Sequence, residues 1–509
     1  MRLRPFADNK KTRTDLPTLA MKKSLLLSLC LGIAAIWPQT SSAQSDRDKF
    51  EQFRQQINAK YDSFSKTNDR KFRGFRDSIN NIYTQFLKNE WDRSSLNEGS
   101  PKPIKPEPKP VIDTKPAISS KPLPHTEPVS ESNPTAQPEP IAPIVPEKPI
   151  SEIFNFNFYG VKCTVHCPTA KFRLRDTSTE SICGAWEAVT SGKYDQFLVD
   201  CLSYREQLKL CDWGLYQFLT IFSKNYFGDS DSNEAVILQT YALAQLGYKV
   251  RLCMQDNHLI SLIAFSQKIF AAPYVVIDNN TFYNLSKVRR KGGIQVCNFT
   301  FPNEKSASLV MKNLPTLPFL PTTQRRVGSK AYPNVSTEIR VNRNLIDFLD
   351  TYPSCSWELF ATSSLSHEVK SQLYPLLKER IKSLSESSAA NILLNFVQTG
   401  FEYKTDNEQF GREKTFFGDE PFYYPYCDCE DRSVLFAILV KELLGLDVVL
   451  LEYPSHIATA VCFNEKIEGD YFDLSGKKYI ICDPTYIGAP IGKSMPDMLK
   501  LNANILRIM

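Results

Sequence analysis

Three residues toward the C-terminus have the types and the order of a nucleophilic thiol site: Cys429, His456 and Asp483. The run Tyr426-Cys427-Asp428-Cys429-Glu430-Asp431-Arg432-Ser433 directly precedes a Leu-rich stretch, Val434 to Leu444, which predicts that Cys429 lies in the first turn of a helix. Unpaired backbone N–H groups and the positive end of the helix dipole favour a thiolate there. A thiolate needs a group that takes and returns a proton, and His456 opens the next apolar strand, HIATAVCF. Alternation places His456, Ala458, Ala460 and Cys462 on one face, where the small side chains are expected to leave room for a substrate. Asp483 closes the segment YIICD, so its carboxylate can accept an imidazole N–H and fix the tautomer. Cys427 is a rival nucleophile, but it precedes the helix and loses the amide cradle.

The acids around the thiol oppose its ionisation. Asp428, Glu430 and Asp431 flank Cys429, and carboxylates beside a thiolate raise its pKa. Arg432, helix-start amides or a hard cation must offset them. Carboxylates suit calcium, so a calcium site on Asp428 and Glu430 is one expectation; acids satisfied by helix amides are the plainer alternative. No cofactor is required by this chemistry. Acyl transfer also needs an oxyanion hole. The Cys429 amide is a natural donor, and a second is expected from the aromatic segment 416–426.

The elements that position these residues occur twice. The helix from Val434 ends at Gly445, eleven residues before His456, and the helix from Val236 ends at Gly247, eleven residues before His258. His258 opens HLISLIAF, and YVVID then places Asp278 at a strand end, as YIICD places Asp483. Residues 151–320 and 330–509 therefore read as tandem copies of one α+β fold, with helices packed on a small antiparallel sheet. Where the second copy has Asp428-Cys429-Glu430 the first has Ser232-Asn233-Glu234. Asn233 cannot attack an acyl carbon, so the first copy is expected to bind or support and not to catalyse. Ser232 as a replacement nucleophile is the lesser alternative.

A cysteine at a helix start, a histidine heading the next strand and an Asp-Pro after the following strand resemble the transglutaminase-like (papain-like) superfamily. Tyr403, Asp406 and Gly411 followed by Asp428-Cys429-Glu430-Asp431 look most like its bacterial cysteine proteases, including calcium-dependent periplasmic ones that cleave adhesins. The resemblance covers about residues 385–495. It implies Cys429 as nucleophile, His456 as general base and acid, Asp483 as orienter, and calcium at the acids. Arg432 stands where those proteases tend to carry an aromatic residue, so their substrate preference does not transfer. The expectation is a thiol hydrolase acting on a protein or peptide. A crosslinking transglutaminase, in which a lysine amine replaces water, uses the same residues. A non-catalytic binding or scaffold protein of the cell envelope is the reading from another class.

The rest of the chain frames this site. A net charge of +5 spread over 509 residues gives no reason to expect a nucleic-acid partner. No glycine-rich phosphate loop follows any strand. Met21-Lys22-Lys23, the apolar run Ser24 to Trp37 and Ser41-Ser42-Ala43 read as a signal peptide over residues 21–43, implying export to the periplasm or beyond. That run is shorter than the ~20 residues a bilayer span needs, so no transmembrane segment is expected in the mature chain. Residues 45–95 carry apolar positions at helical spacing and read as a helical stalk or self-associating segment. Residues 100–150 are proline-rich and read as an extended, disordered linker that only tethers. Cys163 and Cys167 have no partner pair for zinc, and Cys253, Cys462 and Cys482 read as small strand hydrophobes.

Overall fold

The computed structural model describes residues 43–102, 111–112, 122–126, 137–146, 150–286 and 292–508. The signal-peptide expectation lies outside these residues except at Ala43. There a single helix begins, α1 (Ala43–Leu87), unbroken by proline over its 45 residues. The chain divides into two compact units at Asn68, and everything from Asp69 onward is described as one body. Among the described residues no helix is long and apolar enough to cross a membrane.

Within the larger unit the C-terminal turns of α1 are packed and not a free stalk. Tyr83 and Leu87 are buried, and Tyr83 lies 4.4 Å from the Trp186 ring. Arg76 pairs with Asp195, and Gln245 Nε2 donates to Asn80 Oδ1 at 3.0 Å. These polar links hold a buried charge in company, as burial demands. Phe75 and Ile82 remain exposed on the other side of the helix.

The mixed α+β body holds two six-stranded sheets. The first contains β1 (Asp92–Ser95), then, after β2 (His125–Thr126), the strands β3 (Val250–Gln255), β4 (His258–Ala264), β5 (Tyr274–Ile277), β6 (Asn280–Asn284) and β7 (Gly293–Cys297). Its order is β1-β7-β3-β4-β6-β5. The second is built from β8 (Asp447–Tyr453), β9 (His456–Cys462), β10 (Tyr471–Leu474), β11 (Lys477–Cys482) and β12 (Ala503–Arg507), with β2 at its edge. Its order is β2-β12-β8-β9-β11-β10. The two orders match strand for strand, and each sheet follows a buried helix: α2 (Asn233–Gln245) before β3 and, later, α5 (Cys429–Leu444) before β8. Between them lie α3 (Trp357–Thr362) and α4 (Glu386–Gly400).

The repeat is thus present in topology, but one correspondence expected from sequence changes. Asp278 lies in the turn between β5 and β6, the place occupied by Ser475 and Gly476 between β10 and β11. Register settles the true counterpart of Asp483. Leu262 pairs with Asn284 where Ala460 pairs with Ile481, so two residues beyond the strand pair stand Ser286 and Asp483 respectively. An apolar run followed by aspartate marks many strand-to-turn junctions, which is why YVVID misled.

The halves share their main core, while each sheet carries a smaller cluster of its own on the other face. One hydrophobic cluster runs from Phe156 and Trp186 through Phe301 and Leu309 to Phe348, Leu393 and Leu439. Nor do the described parts of the proline-rich stretch hang free. Leu123 is buried, with its N–H on the Tyr471 carbonyl at 2.9 Å. Ile487 N–H reaches the Val111 carbonyl at 2.8 Å, and Ile141 N–H reaches the Gln245 carbonyl at 3.2 Å. Extended chain with few donors of its own satisfies its backbone on a sheet edge at Tyr471, a loop at Ile487 and a helix end at Gln245.

Candidate active site

Helix α5 begins at Cys429, with Asp428 as its N-cap residue, and ends at Gly445, whose φ of 68° only glycine adopts without strain. The helix is apolar nearly all round because it is covered on every side: residues 429 to 440 are all buried. From its end the chain turns back along β8, and a two-residue turn, Pro454-Ser455, starts β9 with Tyr453 opposite His456. Since β9 runs antiparallel to β8, it runs the same way as α5. Ser433 Oγ donates to the Ile457 carbonyl at 3.0 Å. Cys429, one turn before Ser433, and His456, one residue before Ile457, are therefore brought to the same end of the layer.

His456 and Asp483 meet directly. The imidazole Nε2 lies 2.9 Å from Asp483 Oδ2, with both side chains buried. The other carboxylate oxygen accepts the Thr485 N–H at 2.9 Å and the Tyr486 N–H at 3.2 Å. The turn carrying Asp483 is itself held by Gln398 of α4, whose Nε2 donates to the carbonyls of Asp483, Tyr486 and Ala489 at 3.1, 2.7 and 3.0 Å. Gln398 Oε1 accepts the Gly488 N–H at 3.2 Å. A buried amide with all these bonds made is a rigid post. Sequence reasoning missed it, because a glutamine inside a helix carries no signal of its distant partners.

The cysteine is placed at the same end but is not hydrogen-bonded to the histidine. Cys429 Sγ–H donates to Glu430 Oε2 at 3.1 Å, and the thiol residue is 1% exposed. His456 Nδ1 is buried with no hydrogen-bond partner among the described residues. The face also differs from expectation. Ile457 and Val461 belong to the core shared with α5, whereas Ala458 and Ala460 pack with Val449, Leu451 and Ile481 on the opposite face. His456 has their parity, with its ring stacked on Tyr453. The small residues beside it fill a packed layer and leave no room for substrate.

The acids converge. Ligand-type oxygens of Asp406, Asp428 and Asp431 lie within 4.8 Å of one another, as do those of Asp406, Glu413 and Glu430. Burial, with Glu430, Asp431 and Asp406 adding repulsion, pushes the Asp428 carboxyl well above its ordinary range. Burial and Glu430 do the same to Asp431, and burial with Asp431 and Glu430 raises Asp406 to about 10. Burial would raise Glu430 too, but the Lys102 ammonium and the Cys429 thiol hold it below its usual value. Like charges this close resist ionising together, so the direction of these shifts opposes full ionisation of the cluster.

Amide satisfaction accounts for only a fraction of the cluster. Asp431 accepts the Phe416 N–H at 2.8 Å and the Asp428 N–H at 3.3 Å. Asp406 accepts the Lys414 N–H at 2.6 Å. Asp428 faces the Asp431 N–H in a capping box and lies against the Glu430 carboxylate, but neither of its buried oxygens makes a well-formed hydrogen bond among the described residues. Arg432 does not neutralise the acids: its guanidinium donates to the Gln398 and Phe401 carbonyls at 3.2 and 2.9 Å. The upstream aromatics Phe416, Phe417 and Phe422 are buried, and the amides of Phe416 and Phe417 are taken by Asp431 and Glu420. That segment packs beneath the site, and those two amides are not open for an oxyanion. Burial pushes Cys427 up to about 11, consistent with an inert thiol.

Among the described residues the first half has no matching constellation. Ser232 caps α2, its Oγ accepting the Ala235 N–H. Asn233 Oδ1 accepts the Leu259 N–H at 2.8 Å, so both residues serve the backbone. His258 is exposed, with Nδ1 on the Asp256 carbonyl at 3.0 Å. No disulfide joins the described cysteines. The chain matches no family model, no curated protein and no solved structure.

Proposed function

We propose that the chain is an exported cysteine acyl-transfer enzyme of the transglutaminase-like peptidase type, with Cys429 as nucleophile, His456 as base and acid, and Asp483 as orienter. The observation that carries this reading is the buried His456–Asp483 pair at 2.9 Å, whose second imidazole nitrogen has no partner among the described residues. The pair shares with Cys429 one end of the layer, although His456 has the parity of the sheet face turned away from α5, so the ring must turn toward the helix end to meet the thiol. In the reaction, Nδ1 takes the thiol proton as sulfur bonds to the substrate acyl carbon. The carbon–nitrogen bond then breaks while His456 gives that proton to the leaving amine. Water adds to the thioester with its proton passing to His456, and the thiol is released with the acid product. Asp483 holds the proton on Nε2 throughout, leaving Nδ1 as the basic nitrogen.

Calcium fits the acid cluster on one ground: buried oxygens of Asp406, Asp428 and Asp431 converge within 4.8 Å, and those of Asp428 make no well-formed hydrogen bond among the described residues. Asp406, Asp428 and Asp431 would hold it, with Glu430 reaching the same place through its own grouping with Asp406, all oxygen donors of the kind a hard cation prefers. Bound there, it supplies positive charge that lets the acids ionise without raising the neighbouring thiol.

A second reading, a non-catalytic binding protein, is favoured by a different observation: the thiol is buried and bonded to Glu430, not to His456. One experiment separates them. Wild type and Cys429→Ala are incubated with a peptide library containing glutamine and lysine, and products are read by mass spectrometry. Cleavage lost in Cys429→Ala supports the hydrolase, and crosslinking lost in the same variant supports amine transfer. Identical product lists for both proteins, with no labelling of Cys429 by a thiol probe at neutral pH, would leave the binding protein.

A further inference from the structure

The proline-rich segment places a lysine against the acids that flank the candidate nucleophile. Its path is anchored first on the other half: Asn97 and Tyr274 exchange backbone hydrogen bonds of 2.7 and 2.9 Å, and the Ala271 N–H reaches the Ser100 carbonyl at 2.9 Å. Gly99 passes Ala272 so closely that a Cβ would sit 2.2 Å from its carbonyl oxygen. Two residues beyond Ser100, Lys102 enters the second half with a side chain only 1% exposed. Its ammonium lies 3.8 Å from the centre of the Trp357 ring, 2.9 Å from Thr415 Oγ1 and 3.6 Å from Glu413 Oε1. Glu413 adjoins Glu430, whose carboxylate accepts the Cys429 thiol proton. An aromatic face, a hydroxyl and carboxylates around one ammonium are what recognition of an alkylammonium requires.

We infer that Trp357, Glu413 and Thr415 form a recognition pocket for a lysine side chain of a protein substrate, and that Lys102 occupies it in the resting protein as an internal pseudo-substrate. Two features distinguish this pocket from an ordinary buried ion pair. Glu413 is a quarter exposed, so the pocket has an outlet to solvent. The occupant is delivered by extended chain, not by a helix or sheet of the body, so its withdrawal breaks no regular element. The catalytic meaning of the pocket rests on the Cys429 reading; its binding of an ammonium does not.

The test therefore removes the thiol. In the full-length chain carrying Cys429→Ala, Lys102→Ala deletes the atoms that n-propylammonium can replace. The melting temperature is expected to rise with n-propylammonium concentration as mass action requires, and not with 1-propanol or sodium chloride at the same concentration. Adding Glu413→Gln should weaken that binding about tenfold. Nα-acetyl-lysine methylamide competing for the same site identifies a peptide lysine as the ligand. A shift with the free amine only would overturn the protein-substrate assignment. In the protein without the Lys102 substitution, amine binding should speed backbone hydrogen exchange at Asn97 and Ala271, whose amides are held by the bonds that anchor this segment, a readout available even if Lys102→Ala does not fold. The absence of any amine-specific effect in both measurements would overturn the pocket while leaving the Cys429 chemistry untouched.

Discussion

Asp406→Asn should stabilise the protein at neutral pH and remove much of its pH dependence in chelator. Burial beside Asp431 and Glu430 raises the Asp406 carboxyl to about 10, whereas in the unfolded chain it ionises near ~4. Between those values the folded protein holds a proton that the unfolded chain releases. The stability from that proton is fully present below the unfolded pKa and is lost as pH rises toward the folded one. The slope for a single group is ~1.4 kcal/mol per pH unit, so from pH 5 to pH 8 the loss has an upper limit of about 4 kcal/mol. Sharing of charge among Asp406, Asp428 and Asp431 reduces what a single substitution recovers to on the order of 2 kcal/mol. Asparagine keeps an oxygen for the Lys414 N–H and carries no charge at any pH. Urea titrations with excess chelator at pH 5, 6, 7 and 8 measure the effect. Parallel curves of stability against pH for wild type and variant would refute the reasoning, because they would mean that Asp406 binds the same proton folded and unfolded.

Three further outcomes follow from the same geometry. Gln398→Leu removes one buried donor group and one acceptor that together serve three carbonyls and an N–H, and should cost about 3 kcal/mol or more in urea titration. It should also make Asp483→Asn less damaging in the double variant than alone, by the logic of a coupled pair. Calcium should raise the melting temperature of wild type and leave Asp428→Asn little changed, while magnesium, which demands tighter octahedral geometry, should do less. His258→Ala should change stability by less than about 0.5 kcal/mol and leave any peptide products unaltered, since that histidine is exposed and touches only a local carbonyl.

How far the sequence was readable depends on whether a residue acts through its own element or through a distant one. Cys429, His456 and Asp483 each sit at an element boundary, and boundaries are where local pattern speaks: a helix opening, a strand opening, a strand end before proline. The doubled order of helix and strands was legible for the same reason, from Gly445 and Gly247 at helix ends. Asp278 was misplaced because the resemblance lay in composition, and only hydrogen-bond register distinguishes one strand of a hairpin from its neighbour. The face of His456 was legible as a parity but not as a direction, since alternation cannot say which side the helix will take. Lys102 and Gln398 were invisible. Their partners lie 313 and 85 positions away, beyond the reach of any local pattern.

Both sheets borrow an edge strand from upstream. Ser94 and its neighbours complete the first on β7, and Thr126 belongs to the second, its hydroxyl bonded to Asn502, 376 positions later. During synthesis both pieces emerge early; the partner of the first follows at β7 (Gly293–Cys297), and that of the second only at β12. The second sheet cannot close until β12 (Ala503–Arg507) has left the ribosome. Closure over such separations is slow, because loop entropy must be met before the long-range contacts form. The second sheet therefore stays open-edged until β12 has been made, whereas the first has all its strands once Cys297 is out. That delay suits the export proposed above, which needs an unfolded chain, and it makes loss of the last strand a defect of assembly in both directions along the polypeptide.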